Sequence, residues 1–464
     1  MRRFPWAAAA AALMIGGAAN AEDAVGDWAG VLLGQLHLVV HLARGSDGKL
    51  TGTLESLDQG DARIAIGEVD ATPDHLKFTV PAAHGSYDGT WDNAKEQWTG
   101  TWTQGQSIPL DLHRASATAP SVPLPPKRPQ EDAIAKAPLP YSAEEVVFAN
   151  ATATGVTLRG TFSKPAGVGP FPTVVLIVGS GPHNRDEEIL GHKVFLVLAD
   201  YLNRRGVAVL RYDKRGIGGS TGSYATATTA DFTSDAEAAV SYLKTRTDVD
   251  QKHIGLLGHS EGGVIAPAVA VADPTVGFVV LMAGPGVRGD EILKTQSALI
   301  ARANGVSEAD VAKDQALRAQ AFAIVEASSD TADAKAKLDA AATKAVASGQ
   351  LKKETAGQSV ATITSPWMYY FLRYDPAPTL QKVRVPVLAL DGSLDLQVEP
   401  RENLAAIEAA LKDDHDVTVT ELPGLNHLFQ DATTGSPDEY GTIEETLSPV
   451  ALRTMGDWIV AHTR

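Results

Sequence analysis

Residues 254–264 read IGLLGHSEGGV, and few stretches limit a fold as narrowly. Ile254-Gly255-Leu256-Leu257 is a short apolar run of the kind that forms a buried strand. Gly258-His259-Ser260-Glu261-Gly262 follows without a spacer, and residues 263–270 read as a helix of small side chains. A strand that passes through G-x-S-x-G directly into a helix must turn sharply at the serine. Glycines on both sides of the turn leave room for neighbouring backbone. The serine is then strained and sits at a helix N-terminus, where the amide of Glu261 can face a developing oxyanion. That context makes Ser260 a candidate nucleophile.

At 464 residues the chain is too long for one ordinary domain. Its 44% apolar and 21% charged residues describe a globular protein. A formal net charge of −16 argues against nucleic acid as a partner, because phosphate binding needs a basic footprint. The absence of cysteine excludes disulfides, thiolate nucleophiles and Cys-ligated metals. At the N-terminus, Met1-Arg2-Arg3, the apolar run 6–18 and Ala19-Asn20-Ala21 predict a signal peptide over 1–21. It is too short for a spanning anchor. The expectation is an exported protein, periplasmic or extracellular, with no stable membrane anchor after cleavage.

Residues 24–115 predict an all-β domain. In Leu36-His37-Leu38-Val39-Val40-His41-Leu42 every even position is apolar, which makes one face of a strand. Turn signals recur along this region and suggest about eight short strands in a small barrel or sandwich. Trp28, Trp91, Trp98 and Trp102 fall here and read as core rings, with a ligand cleft as the alternative. His37 and His41 share a strand face with no recurring acidic partner, so they read as surface rather than as a metal site. Residues 116–141 hold Pro120, Pro123, Pro125, Pro126, Pro129 and Pro140 and predict an extended, semi-rigid linker.

From 142 to 464 the pattern alternates between apolar strands and helices. Runs at 172–178, 207–212, 254–257, 276–282, 385–390 and 417–422 imply a mostly parallel sheet covered on both faces. One block, about 284–375, interrupts the alternation. Its helices at 290–303, 307–327, 332–347 and 354–364 read as a cap over the site, with Ser307 and Asp310 as an N-terminal cap. It ends in Trp367, Tyr369, Tyr370, Phe371 and Tyr374, a cluster read as controlling substrate choice, with anchoring of the cap to the sheet as the alternative for any single ring.

A nucleophilic serine needs a base, and the base needs an orienting carboxylate. Asp391-Gly392-Ser393-Leu394-Asp395 offers two acids at a strand end. Asp391 sits where its carboxylate meets backbone, whereas Asp395 can turn back toward an imidazole and is the preferred acid. His427, in the loop after the final strand, is placed to act as the base. His259 and His183 could touch substrate, but neither lies on the acid's side. Gly179-Ser180-Gly181-Pro182 follows another strand and offers a second oxyanion amide, assigned to Ser180 beside that of Glu261.

With these residues in view, 142–464 resembles the α/β-hydrolase superfamily, in the branch of secreted esterases similar to dienelactone hydrolases and acylaminoacyl peptidases. The matching strings are Gly179-Ser180-Gly181-Pro182 with Arg185-Asp186, Asp213-Lys214-Arg215-Gly216-Ile217-Gly218 and Gly258-His259-Ser260-Glu261-Gly262-Gly263. Gly392-Ser393-Leu394-Asp395 and Gly424-Leu425-Asn426-His427 complete the set. The resemblance implies an α/β-hydrolase fold with a helical cap, preceded here by the all-β domain. It implies the triad Ser260, Asp395 and His427, the oxyanion amides of Ser180 and Glu261, and no metal or cofactor. A serine carboxylesterase acting on small-molecule esters through an acyl-enzyme is the first expectation. A serine peptidase for short or N-blocked peptides is the second. The third is a ligand-binding protein working through the β domain, with hydrolysis secondary.

Overall fold

A computed structural model describes residues 24–463 apart from 33–35, 46–47, 58–62, 84, 105, 116–125 and 137. The signal-peptide expectation for 1–21 and much of the first half of the linker lie outside the described residues. The chain divides into two compact units, each described by itself.

The first unit is a curled antiparallel sheet. Its strands are β1 Gly26–Leu32, β2 Leu36–Arg44, β3 Leu50–Ser56, β4 Arg63–Ala65, β5 Val69–Thr72, β6 His75–Val80, β7 Gly85–Asp92, β8 Gln97–Gln104 and β9 Gln106–Arg114. Their order is β4-β3-β2-β1-β9-β8-β7-β6-β5. The period-2 pattern of β2 buries Leu38, Val40 and Leu42. Trp28, Trp98 and Trp102 are buried, and Trp28, Trp91 and Trp98 meet edge to face with centroids 5.1–5.9 Å apart. These rings pack the domain core. The expectation that His41 lacks an acidic partner is corrected. Its Nδ1 lies 2.8 Å from Asp27 Oδ1 and its Nε2 3.2 Å from Glu55 Oε2. Both carboxylates come from neighbouring strands, so spacing within one strand could not reveal them.

The second unit carries a mixed, mostly parallel sheet. Its strands are β10 Tyr141–Ala149, β11 Thr157–Pro165, β12 Phe171–Ile177, β15 Ala208–Tyr212, β16 Val249–His259, β17 Phe278–Met282, β18 Val387–Gly392 and β19 Val417–Leu422, with a small hairpin of β13 Glu188–Ile189 and β14 His192–Lys193 set apart. The order is β10-β11-β15-β12-β16-β17-β18-β19. β10 and β11 are antiparallel, and pairing is parallel from β15 onward. The apolar strands are buried on both faces. One face packs on α3 Thr229–Leu243, α4 Gly262–Ala272 and α11 Pro400–Ala410, and the other on α2 Val194–Asn203 and α12 Pro449–Ala461.

The linker expectation needs correcting beyond residue 125. Pro129–Lys136 is a helix, α1, rather than extended chain. Proline is well tolerated at the first helical position, and Glu131, Asp132 and Lys136 suit the helix dipole. The helix is held by Gln130 Nε2 donating to Leu447 O at 2.9 Å and by Lys193 N donating to Glu131 Oε1 at 2.8 Å.

Between β17 and β18 lie α5 Gly289–Ala303, α6 Glu308–Glu326, α7 Thr331–Ala347, α8 Lys353–Ile363, α9 Pro366–Arg373 and α10 Ala377–Leu380. Ser307 caps α6 by accepting from Asp310 N. Phe322, Val325, Leu338, Val360 and Leu372 form a small core of their own in this block.

Candidate active site

The turn after β16 is tight for a physical reason. A Cβ on Gly258 would lie 1.9 Å from Gly262 O, and one on Gly262 would lie 2.2 Å from Ile177 O. Between them Ser260 adopts φ +51°, a left-handed conformation that non-glycine residues rarely hold. Its amide donates to Met282 O at 2.9 Å. Ser260 thus stands at the carboxyl end of the central strand, just before α4.

Asp395 and His427 come together across 32 positions. His427 Nδ1 lies 2.6 Å from Asp395 Oδ2, with both side chains buried. Asp395 Oδ1 accepts from the amides of Gln397 at 2.6 Å and Val398 at 2.9 Å. The carboxylate is therefore aimed from both sides, which puts the ring proton on Nδ1 and leaves Nε2 as an acceptor. Burial opposes the charge on Asp395, but His427 outweighs it and holds the carboxyl below its ordinary range. Asp391 is different: burial first, and the neighbouring Asp395 next, push it well above that range. Its Oδ1 accepts from Gly392 N at 2.8 Å.

Ser260, His427, Gly179, Ser180, His183 and His259 line one cleft, whose walls include Ile189, Leu190, Gln397, Leu428, Pro437 and Tyr440. Gly179 N is committed to Glu187 Oε1 at 2.6 Å. The amides of Ser180 and Glu261 have no hydrogen-bond partner among the described residues. His183 lies with Nε2 2.7 Å from Ser180 O, and His259 is buried. The five aromatic residues at 367–374 do not line this cleft. Trp367 stacks on Phe371 at 5.1 Å and donates from Nε1 to Glu261 Oε1 at 2.6 Å. Tyr369 donates to Ser328 O at 2.9 Å. Trp367 ties the cap to the serine turn, whereas the Tyr369 bond lies within the cap itself.

A buried charge network surrounds the turn. Lys214 Nζ donates to Glu261 Oε2 and to Gly179 O, each at 2.9 Å, and lies 4.0 Å from the centre of the Phe232 ring. Thr229 Oγ1 donates to Glu261 Oε1 at 2.7 Å. Arg185 holds Asp213 in a bidentate pair at 3.0 and 2.9 Å, and Asp213 also accepts from the Arg185 and Gly219 amides. Glu187 and the partners of Lys214 were not found by sequence reasoning. The string 213–218 marks the segment without saying which charges will be buried together. Among the described residues no group of three His, Asp or Glu side chains could hold a metal ion, and no helix is long and apolar enough to cross a membrane.

The serine aminopeptidase S33 family matches residues 192–431, more than half of the chain. The chain belongs to that family. Esterase EstD of Thermotoga maritima is 28% identical over 272 residues, which are 59% of this chain and 58% of that protein. The chain thus spans little more than half the length of this relative. An esterase of Pyrococcus furiosus is 15% identical, covers 70% of this chain and 95% of its own, and has a TM-score of 0.44. A dienelactone hydrolase of Anabaena variabilis is 16% identical over 69% of this chain and 96% of its own, with a TM-score of 0.38.

Proposed function

We propose that this member of the family hydrolyses carboxylic esters of small molecules through an acyl-enzyme. The observation that carries the proposal is the 2.6 Å contact of Asp395 Oδ2 with His427 Nδ1, in the cleft that Ser260 lines. A ring fixed in that tautomer offers Nε2 to take the serine proton. Ser260 Oγ then attacks the ester carbonyl, and the new oxyanion faces the amides of Ser180 and Glu261. The alcohol leaves with the proton held on His427. Water, deprotonated by the same nitrogen, attacks the acyl carbonyl and releases the acid and Ser260. The name of the Thermotoga maritima relative supports esters as substrates. The family's description supports a second reading, cleavage of short peptides.

Assays of p-nitrophenyl esters beside aminoacyl p-nitroanilides separate the two. Ester turnover is expected, with a loss of about 10³-fold or more in Ser260→Ala and an unchanged fold. Residual ester activity within about tenfold of wild type would overturn the assignment. The leader pattern over 1–21 supports export, which is tested by finding the exported protein to begin at Glu22.

A further inference from the structure

The nucleophile turn carries a second histidine, and its neighbours dictate its charge. His259 is buried beside Ser260. Its Nδ1 lies 2.8 Å from Glu187 Oε1, and its Nε2 lies 3.0 Å from the backbone oxygen of His427. Both neighbours are acceptors. A carbonyl has no proton to give, and Glu187 Oε1 already accepts from Gly179 N at 2.6 Å. A neutral imidazole has one donor and one acceptor nitrogen, so beside an ionised Glu187 either tautomer aims a lone pair at an oxygen lone pair. With Glu187 ionised, only the doubly protonated ring satisfies both contacts.

We propose that His259 is a resident imidazolium, a positioning residue that with Glu187 clamps the loop of the Ser180 amide to the loop of His427. Its effect on catalysis rests on the proposed ester hydrolysis; its charge does not.

Glu187 is fully buried, holds φ +49°, and its Oε2 has no partner among the described residues. Backbone strain and an unsatisfied buried oxygen both disfavour such a residue unless another interaction compensates. The ion pair with His259 supplies that interaction. Burial opposes the charge on His259, but the Glu187 carboxylate outweighs it and raises the ring's pKa. Burial likewise opposes the charge on Glu187, and His259 outweighs that in turn. The other titratable groups facing the pair are His183 on the Glu187 loop, Lys214 after β15, Asp395 after β18 and His427 after β19. Burial pushes His183 down, toward its neutral form. The His259 and His427 ring centroids are 4.7 Å apart.

The test uses the full protein with ¹⁵N-labelled histidine. One histidine is expected to keep both ring nitrogens protonated at pH values above the ordinary imidazole range, in contrast to free histidine near 6.5. That signal should vanish in His259→Gln and become titratable in Glu187→Gln. A ring that titrates near neutrality in the wild type, or stays neutral throughout, overturns the proposal whatever the activity. In the kinetic arm, His259→Gln unclamps the Ser180 and His427 loops, so kcat for p-nitrophenyl acetate should fall about tenfold or more while KM stays within about threefold. A folded His259→Gln whose kcat stays within about twofold of wild type would reduce His259 to packing and overturn its positioning role. If His259→Gln does not fold, the wild-type and Glu187→Gln spectra still decide. A wild type that shows the imidazolium but turns over no ester defeats the proposed function alone.

Discussion

Trp367 Nε1 donates to Glu261 Oε1 over 2.6 Å, which joins α9 of the cap to the residue that follows Ser260. The indole is therefore part of the support of the Ser260 turn. Trp367→Phe keeps a ring against Phe371 and removes the donor to a buried carboxylate, a loss of about 2 kcal/mol in stability. kcat/KM should fall by a similar factor for acetate and for longer acyl esters, measured across a p-nitrophenyl series. A change that depends on acyl length would return the ring to substrate selection.

Asp391 and Asp395 should respond differently to the same substitution. Asp395→Asn removes the carboxylate that fixes the His427 tautomer and is expected to lower kcat by about 10⁴-fold. Burial and the adjacent Asp395 push Asp391 toward its neutral form. Asp391→Asn should therefore stay within about tenfold of wild type. The reverse ranking in steady-state kinetics would move the acid to Asp391.

Lys214 and Glu261 form a pair that is 3% and 1% exposed. Lys214→Met leaves the Glu261 carboxylate buried with only the neutral donors Thr229 and Trp367. The expected loss is about 3–5 kcal/mol, because one-sided removal strands a buried charge. The double variant with Glu261→Gln should recover a large part of it. Denaturant unfolding of the four proteins checks this, and additive losses would show that the pair is not coupled.

His192 gives the fold a pH dependence. It is fully buried, with Nε2 2.9 Å from Tyr440 O and Nδ1 2.8 Å from Thr446 Oγ1. Burial, aided by the nearby Arg128, pushes its pKa down to about 4. The unfolded chain's histidine takes up a proton near 6.5 that the folded ring refuses until about 4. Stability is thus full above about pH 6.5 and declines as pH falls toward about 4. At about pH 5 the loss from this group is about 2 kcal/mol. His192→Gln should flatten the difference in urea unfolding between about pH 7.5 and about pH 5. An unchanged difference would assign the acid sensitivity to other groups.

Much of the architecture was legible because the signals are local. Alternation along residues 36–42 sets which side chains of β2 face inward, and the unbroken apolar runs require strands covered on both sides. At 258–262 the glycines and the strand-to-helix context define the turn, since backbone crowding there involves near neighbours and one adjacent strand. Proline proved ambiguous at 129, where it begins a helix as readily as it would stiffen a linker.

Partner choice among charged and aromatic side chains was not legible. Lys214 and Glu261 are 47 positions apart, Glu187 and His259 are 72 apart, and Glu261 and Trp367 are 106 apart. Each residue taken singly resembles an ordinary surface charge or a cap ring. Chain periodicity determined that strands and helices alternate, and the glycines around Ser260 determined where the sharp strand-to-helix turn stands. Only the order β15-β12-β16-β17-β18-β19 decided which loops meet at the strand ends. Burial there removes water as a competing partner, so a charge must take whatever opposite charge or polar group the sheet order brings beside it.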